Sequence, residues 1–131
     1  MKKLFIFLTS ALILNLLWEF SHYFLYFDLT EIPKNLHLLS ASLTDVLLIF
    51  ILFLSVSTIN KNFSWINKPK TKDYLFLIIF GLIIAFFLEV INLNLGRWAY
   101  IDAMPTIFSV GLSPLLQLAT TSAISLKISN S

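Results

Sequence analysis

Apolar residues dominate four stretches of the chain, and the polar residues inside those stretches recur at helical spacing. The runs cover about Leu4–Tyr26, Leu36–Ile59, Tyr74–Leu95 and Ile107–Ile128. Crossing a hydrocarbon core of about 30 Å takes roughly 20 residues at 1.5 Å each, so every run is long enough for one membrane-spanning helix. The links Phe27–Asn35, Asn60–Asp73 and Gly96–Thr106 hold Pro33, Pro69 and Pro105, where proline removes no helical hydrogen bond. The predicted fold is all-α, a single domain over residues 1–131 with four transmembrane helices in a bundle. The fourth run is the least apolar, carrying Pro114, Gln117, Thr120, Thr121, Ser122 and Ser125. It is expected to lie against its neighbours and to kink at Pro114. The first run follows Lys2 and Lys3 as a signal peptide would. No small-x-small cleavage site follows it, however, and Trp18, Glu19 and His22 continue its stripe, so a retained helix is expected.

Composition supports the membrane class. The chain is 58% hydrophobic and 12% charged, against roughly 25% charged residues in soluble domains. A formal charge of +2 gives no reason to expect nucleic acid, and the absence of Cys excludes disulfides, thiolate metal sites and thiol nucleophiles. The position of the charges says more than their sum. Lys2, Lys3, Lys61, Lys68, Lys70, Lys72 and Lys127 fall on one side of the predicted bundle, and only Lys34 and Arg97 on the other. The positive-inside rule then puts both termini in the cytoplasm of a multi-pass protein of the bacterial inner membrane. Trp65 and Tyr74 would sit in the inner aromatic belt, and Trp98 and Tyr100 in the outer one.

Three acids interrupt the apolar runs: Glu19, Asp45 and Glu89. A charge near the bilayer centre costs about 2.5–3.5 kcal/mol on insertion scales. With the predicted topology, all three lie roughly 9–14 Å below the outer boundary, in one layer. Each has companions at helical spacing. Asn15, Glu19 and His22 share a face with Trp18 beside them, while His37, Ala41 and Asp45 step by four, with Ser42 one turn from Asp45. Gly81, Ala85, Glu89 and Asn92 form a stripe whose small residues invite close helix approach, and Ser113, Gln117 and Thr120 form the matching stripe of the fourth run.

This pattern supports several chemistries. Glu19, His22, Asp45 and Glu89 are the expected acid–base groups, since carboxylates and an imidazole in a dry layer titrate apart. Asn15, Trp18, His37, Asn92, Arg97, Trp98, Tyr100 and Gln117 are the expected substrate-binding residues around them. Such a site suits a lipophilic small molecule or membrane lipid entering from the outer leaflet. The same groups could instead relay protons or hold a cation, alone or as a subunit of a larger assembly. As a third reading, Asn15, Ser42, Asn92 and Gln117 are interhelical hydrogen-bonding glue, Trp98 and Tyr100 interfacial anchors, and Arg97 a structural partner for the acids. Glu19-x-x-His22 has a metal-binding spacing, but the second pair that di-iron bundles use is missing, so no metal ligand is assigned and the cofactor is left open. Serine-nucleophile chemistry has no G-x-S-x-G motif to support it.

Gly96-Arg97-Trp98-Ala99-Tyr100, followed by Met104-Pro105, Gly111, Pro114 and Gln117, resembles a pattern in small bacterial multi-pass membrane proteins of uncharacterised activity. The same stretch distantly resembles the G-x-W-x-Y…G…L-P-L segment of the small-subunit type of lycopene cyclases. That resemblance implies a helical membrane protein acting on an isoprenoid by metal-free, acid-catalysed ring closure. In that family a pair of acids follows the Pro-Leu, whereas Leu115, Leu116 and Gln117 follow Pro114 here.

Overall fold

The computed structural model describes Met1–Ser131 and is mostly helical. Four helices run α1 (Lys2–His22), α2 (Lys34–Asn60), α3 (Thr71–Asn94) and α4 (Leu112–Ser129). Three of them, counting α1 with the 3-10 turn Tyr23–Leu25 that follows it, are long and apolar enough to cross a membrane. The outward surface is apolar, most clearly on α3. There Leu75, Ile79, Ile83, Phe87 and Ile91 step by four and are exposed, whereas Leu77, Gly81, Ala85 and Glu89 step by four and are buried. Large apolar side chains facing outward, over a buried face that includes small residues and an acid, suit a helix in an apolar solvent.

The fourth helix departs from expectation. Residues 107–111 do not begin it; Thr106–Ile107 (β3) and Val110–Gly111 (β4) pair as a small antiparallel hairpin. Phe108 and Ser109 turn that hairpin with φ of 52° and 65°. The helix is left with 18 residues, about 27 Å at 1.5 Å each, and does not rank with the three apolar helices. Pro114 falls in its first turn, where no intrahelical donor is needed, so the expected kink has no cause. The expected burial holds: α4 packs mainly on α1 and α3, and Gln117, Thr121, Ser122, Ser125 and Ser129 are all buried along it.

The α3–α4 contact is set by Gly81. A Cβ built there would lie 2.9 Å from the Ala119 backbone nitrogen and 3.0 Å from its Cα. Below this crossing the core is apolar, with Phe7, Ala11, Ile49, Leu52, Leu77 and Leu126 all fully buried. The Asn60–Asp73 link closes that end. Asp73 accepts from the Lys70 backbone N–H and from Asn60 Nδ2, each at 2.8 Å, which caps α3 and ties it to α2. Trp65 is not an interfacial anchor. It is 5% exposed, stacks on Phe53 at 5.6 Å between ring centroids, and donates Nε1–H to Ser57 Oγ at 2.9 Å.

At the opposite end, Tyr26–Asp28 (β1) pairs with Trp98–Tyr100 (β2), with Tyr26 opposite Tyr100 and Asp28 opposite Trp98. Backbone bonds from Leu29 N–H to Arg97 O and from Ile101 N–H to Leu25 O, both 3.0 Å, extend the ladder. The helical first run therefore stops at Leu25, and Tyr26 belongs to this strap across the end of the bundle opposite the termini.

Gly81 supplies the first prediction. Alanine gains about 1 kcal/mol over glycine in helix propensity, but crowding a packed backbone costs about 1–3 kcal/mol. Gly81→Ala should lower the thermal unfolding midpoint in detergent, and Gly81→Val should lower it further. An unchanged midpoint for both would mean that α3 and α4 do not meet there.

Candidate functional site

α2 meets α3 and α4 only lightly, and beneath the strap the helices leave a cavity of about 310 Å³. Helix periodicity brings its walls together. His37, Ala41 and Asp45 come from one face of α2; Ala85, Glu89 and Asn92 from α3; Glu19 and His22 from the C-terminal end of α1. Tyr26 and Trp98 of the strap cover it, and Gln117 of α4 forms part of its floor. Exposed Ser40 and Thr44 carry the wall out to the bundle surface along α2.

Gln117 is the hub. Its Nε2 donates towards Asn15 Oδ1 at 3.0 Å, Glu19 Oε1 at 3.1 Å and Asp45 Oδ2 at 2.9 Å. An amide nitrogen carries two hydrogens, so the acceptors outnumber the donors by one. A proton on either carboxyl completes the set. Asn15 lies beneath the floor, fully buried, donating to Ala11 O at 2.8 Å and to Thr121 Oγ1 at 3.2 Å. The α4 stripe facing it is thus Gln117 and Thr121. Ser113 lies higher, and Thr120 turns towards a second groove.

His22 links the hub to its surroundings. Its Nδ1 is 2.8 Å from Ser113 Oγ and its Nε2 3.3 Å from Glu19 Oε2. Trp18 Nε1 also reaches Ser113 Oγ, at 3.1 Å, and an indole can only donate. The Ser113 hydroxyl hydrogen is therefore free for His22 Nδ1, which leaves Nε2–H for Glu19 in the neutral ring. Trp18 itself lines the second groove, between α1 and α4, rather than the main cavity.

Glu89 has separate partners. Tyr26 O–H donates to its Oε1 at 2.8 Å and Trp98 Nε1–H to its Oε2 at 2.9 Å, one donor from each strand of the strap. The Tyr26 ring meets His22 edge-on at 5.3 Å, so Tyr26 touches both Glu89 and the Glu19–His22 pair. Arg97 does not pair with any of the acids. Its Nη1 donates to Asn92 Oδ1 at 3.0 Å and its guanidinium lies 5.6 Å from the Trp98 ring centroid, at the rim. Tyr100, at the end of the strap, accepts from Gly111 N–H at its hydroxyl at 2.9 Å and does not line the cavity. No three His, Asp or Glu side chains are arranged to hold a metal ion; Glu19 and His22 face each other instead.

Tyr26 and Asp28 were missed from sequence. Asp28 Oδ2 lies 2.6 Å from His37 Nδ1 and accepts from Tyr23 O–H at 2.9 Å, while its Oδ1 accepts from Thr30 N–H at 3.0 Å and Thr30 Oγ1–H at 2.6 Å. Burial opposes its charge, but these hydrogen bonds from Thr30, His37 and Tyr23 outweigh it and hold the carboxyl well below its usual range. In Tyr26, burial and then the Glu89 charge push the phenol far up. Burial likewise pushes Tyr100 up to about 12, against the Gly111 hydrogen bond and with the help of Glu89.

Comparisons with protein-family models, with curated proteins and with solved structures give no match for this chain.

The tyrosines give a prediction for alkali. A folded phenol value raised from 10.0 to about 12 stabilises the fold fully below pH 10.0 and loses that contribution as pH rises through about 12. Tyrosinate absorbance and near-ultraviolet circular dichroism, followed together, should show Tyr100 ionising late and in step with loss of the strap's tertiary signal. Ionisation of Tyr100 at its ordinary value with the signal intact would contradict the assigned environment.

Proposed function

We propose that this chain is a small polytopic inner-membrane protein whose carboxylate–histidine cavity performs acid–base chemistry on a lipid or isoprenoid. Both termini face the cytoplasm, and the cavity opens towards the outer leaflet between α2 and α3. The observation carrying this reading is that Glu19, His22, Asp45 and Glu89 line one cavity. Its volume is within the ordinary ligand-site range of about 300–1,000 Å³. Three acceptors share two amide hydrogens at the Gln117 hub, so the layer has room for one added proton, on Glu19 or Asp45, which it can afterwards return. Leu38, Leu48, Ala85 and Leu88 supply apolar wall for a hydrocarbon portion. The likeness of Gly96–Gln117 to lycopene cyclases agrees with an isoprenoid as substrate class.

Proton or cation passage is the second reading, and one observation favours it. Thr121, Ser125 and Ser129 continue the Gln117 line down α4, buried, and Ser125 Oγ has no hydrogen-bond partner. A packing layer that only specifies helix contacts is the third.

Amide substitutions separate these readings. Glu89→Gln retains the Trp98 contact through the amide oxygen and reverses the Tyr26 one, in which the amide nitrogen now donates to the phenol oxygen. Interhelical hydrogen bonds in membranes average only about 0.6 kcal/mol, so a packing layer tolerates this change. Loss of general acid–base catalysis costs about 10²–10⁴-fold. Glu89→Gln, Asp45→Asn and Glu19→Gln should each fail to complement a deletion strain at wild-type membrane abundance. Full complementation by all three would end the acid–base reading. Ser125→Ala should complement normally if the cavity is an enzyme site, and fail if protons travel along α4.

Orientation is checked separately. Reporter tags at either terminus, or within Asn60–Asp73, should report the cytoplasm, because most of the lysines lie there. A periplasmic signal from the Lys68–Lys72 region would invert the whole assignment.

A further inference from the structure

We infer that Asp28 and His37 form a second acid–base pair at the outer mouth of the cavity, in which the carboxylate orients the imidazole and Nε2 accepts a proton from a hydroxyl group of the bound molecule. This rests on the reading of the cavity as a ligand site, but it concerns groups outside the Gln117 layer. His37 Nδ1 is 2.6 Å from Asp28 Oδ2. Thr30 Oγ1 lies 3.4 Å from the same nitrogen, and its hydroxyl hydrogen is directed to Asp28 Oδ1 at 2.6 Å. Asp28 accepts from Tyr23 O–H on one oxygen and from Thr30 N–H and O–H on the other, which holds the carboxyl ionised and leaves it no hydrogen of its own to offer. The hydrogen between Asp28 and His37 therefore resides on Nδ1, and in the neutral ring Nε2 carries the lone pair.

That nitrogen has no partner within the protein, whereas both nitrogens of His22 are engaged. His37 lines the cavity, beside the Trp98 ring at 6.3 Å between centroids. The ionisable and charged groups around it are Tyr23 after α1, Asp28 of β1, Lys34 one turn earlier on α2, and Arg97 at the rim before β2. A fixed carboxylate, an Nδ1–H and an open Nε2 are the arrangement by which a histidine becomes an oriented general base. The step is a proton transfer alone. The ligand O–H bond breaks, an Nε2–H bond forms, the electron pair stays on the ligand oxygen, and Asp28 keeps its charge opposite the imidazolium. Asp28 acts through His37 and is a positioning residue.

The chain contains only two histidines, and the hydrogen bonding assigns them opposite neutral tautomers: Nε2–H for His22 and Nδ1–H for His37. Ring-¹⁵N-labelled protein in detergent, with His22→Asn for assignment, should show an unprotonated Nε2 at His37. Diethyl pyrocarbonate should acylate that nitrogen several-fold faster than either nitrogen of His22. Asp28→Asn should mix the tautomers and slow the acylation several-fold, and Asp28→Glu should restore both. His37→Gln should fail to complement at normal abundance. An Nε2–H tautomer in the wild-type protein, acylation no faster than at His22, or full complementation by His37→Gln would each overturn the inference. The tautomer and the acylation rate are read without ligand or turnover, so they stand or fall independently of Glu89→Gln.

Discussion

Where water is scarce, every buried polar group must find its partner within the chain, and Gln117 is where this constraint presses hardest. One amide nitrogen serves acceptors from both α1 and α2. Sliding α4 by a single turn, 5.4 Å, would strand all of them together. The Gly81–Ala119 contact, about half a turn further along α4, fixes how near α3 comes. Between them these two contacts set the register and the spacing of the helices, and so the depth and width of the cavity above.

The same constraint explains why the most polar helix is also the most enclosed. Hydroxyls along α4 bond back to their own helix, as Thr121 does to Gln117 O at 2.8 Å and Ser129 to Leu126 O at 2.8 Å. α1 and α3 supply the apolar jacket, with exposed Ile13, Leu17 and Phe20 on one and Ile79, Ile83 and Phe87 on the other. A helix sheathed in this way does not need a hydropathy high enough to face lipid alone.

Much of the layer was legible because it follows from helix geometry. A rise of 1.5 Å per residue and a period of 3.6 suffice to bring Glu19, Asp45 and Glu89 to one level and to align His37 with Ala41 and Asp45. What escaped the sequence depends on contacts between distant segments. Nothing near Tyr26 or Asp28 announces that β1 will pair with β2, and their roles exist only once it does. Ile107 sits in a short apolar run that periodicity alone cannot divide between strand and helix. Trp65 looked interfacial because lysines flank it, but Ser57 and Phe53, one link away, offer its ring and its N–H a buried place. Trp18 adjoins Glu19 in sequence, yet one residue on a helix is a rotation of about 100°, enough to turn it out of the cavity to Ser113 and the groove between α1 and α4.

The strap also imposes an order on biosynthesis. Chains emerge from the ribosome N-terminus first, so Glu89 leaves the ribosome while Trp98 is still within the exit tunnel. Tyr26, made long before, has no partner strand until Tyr100 is out. For that interval the Glu89 carboxyl lacks the second of its two donors, and Gln117, made later still, has not yet joined Glu19 to Asp45. The nascent chain thus holds its most interdependent side chains without their final partners for much of its synthesis. The segment from Trp98 to Gln117 is the part that closes the cavity.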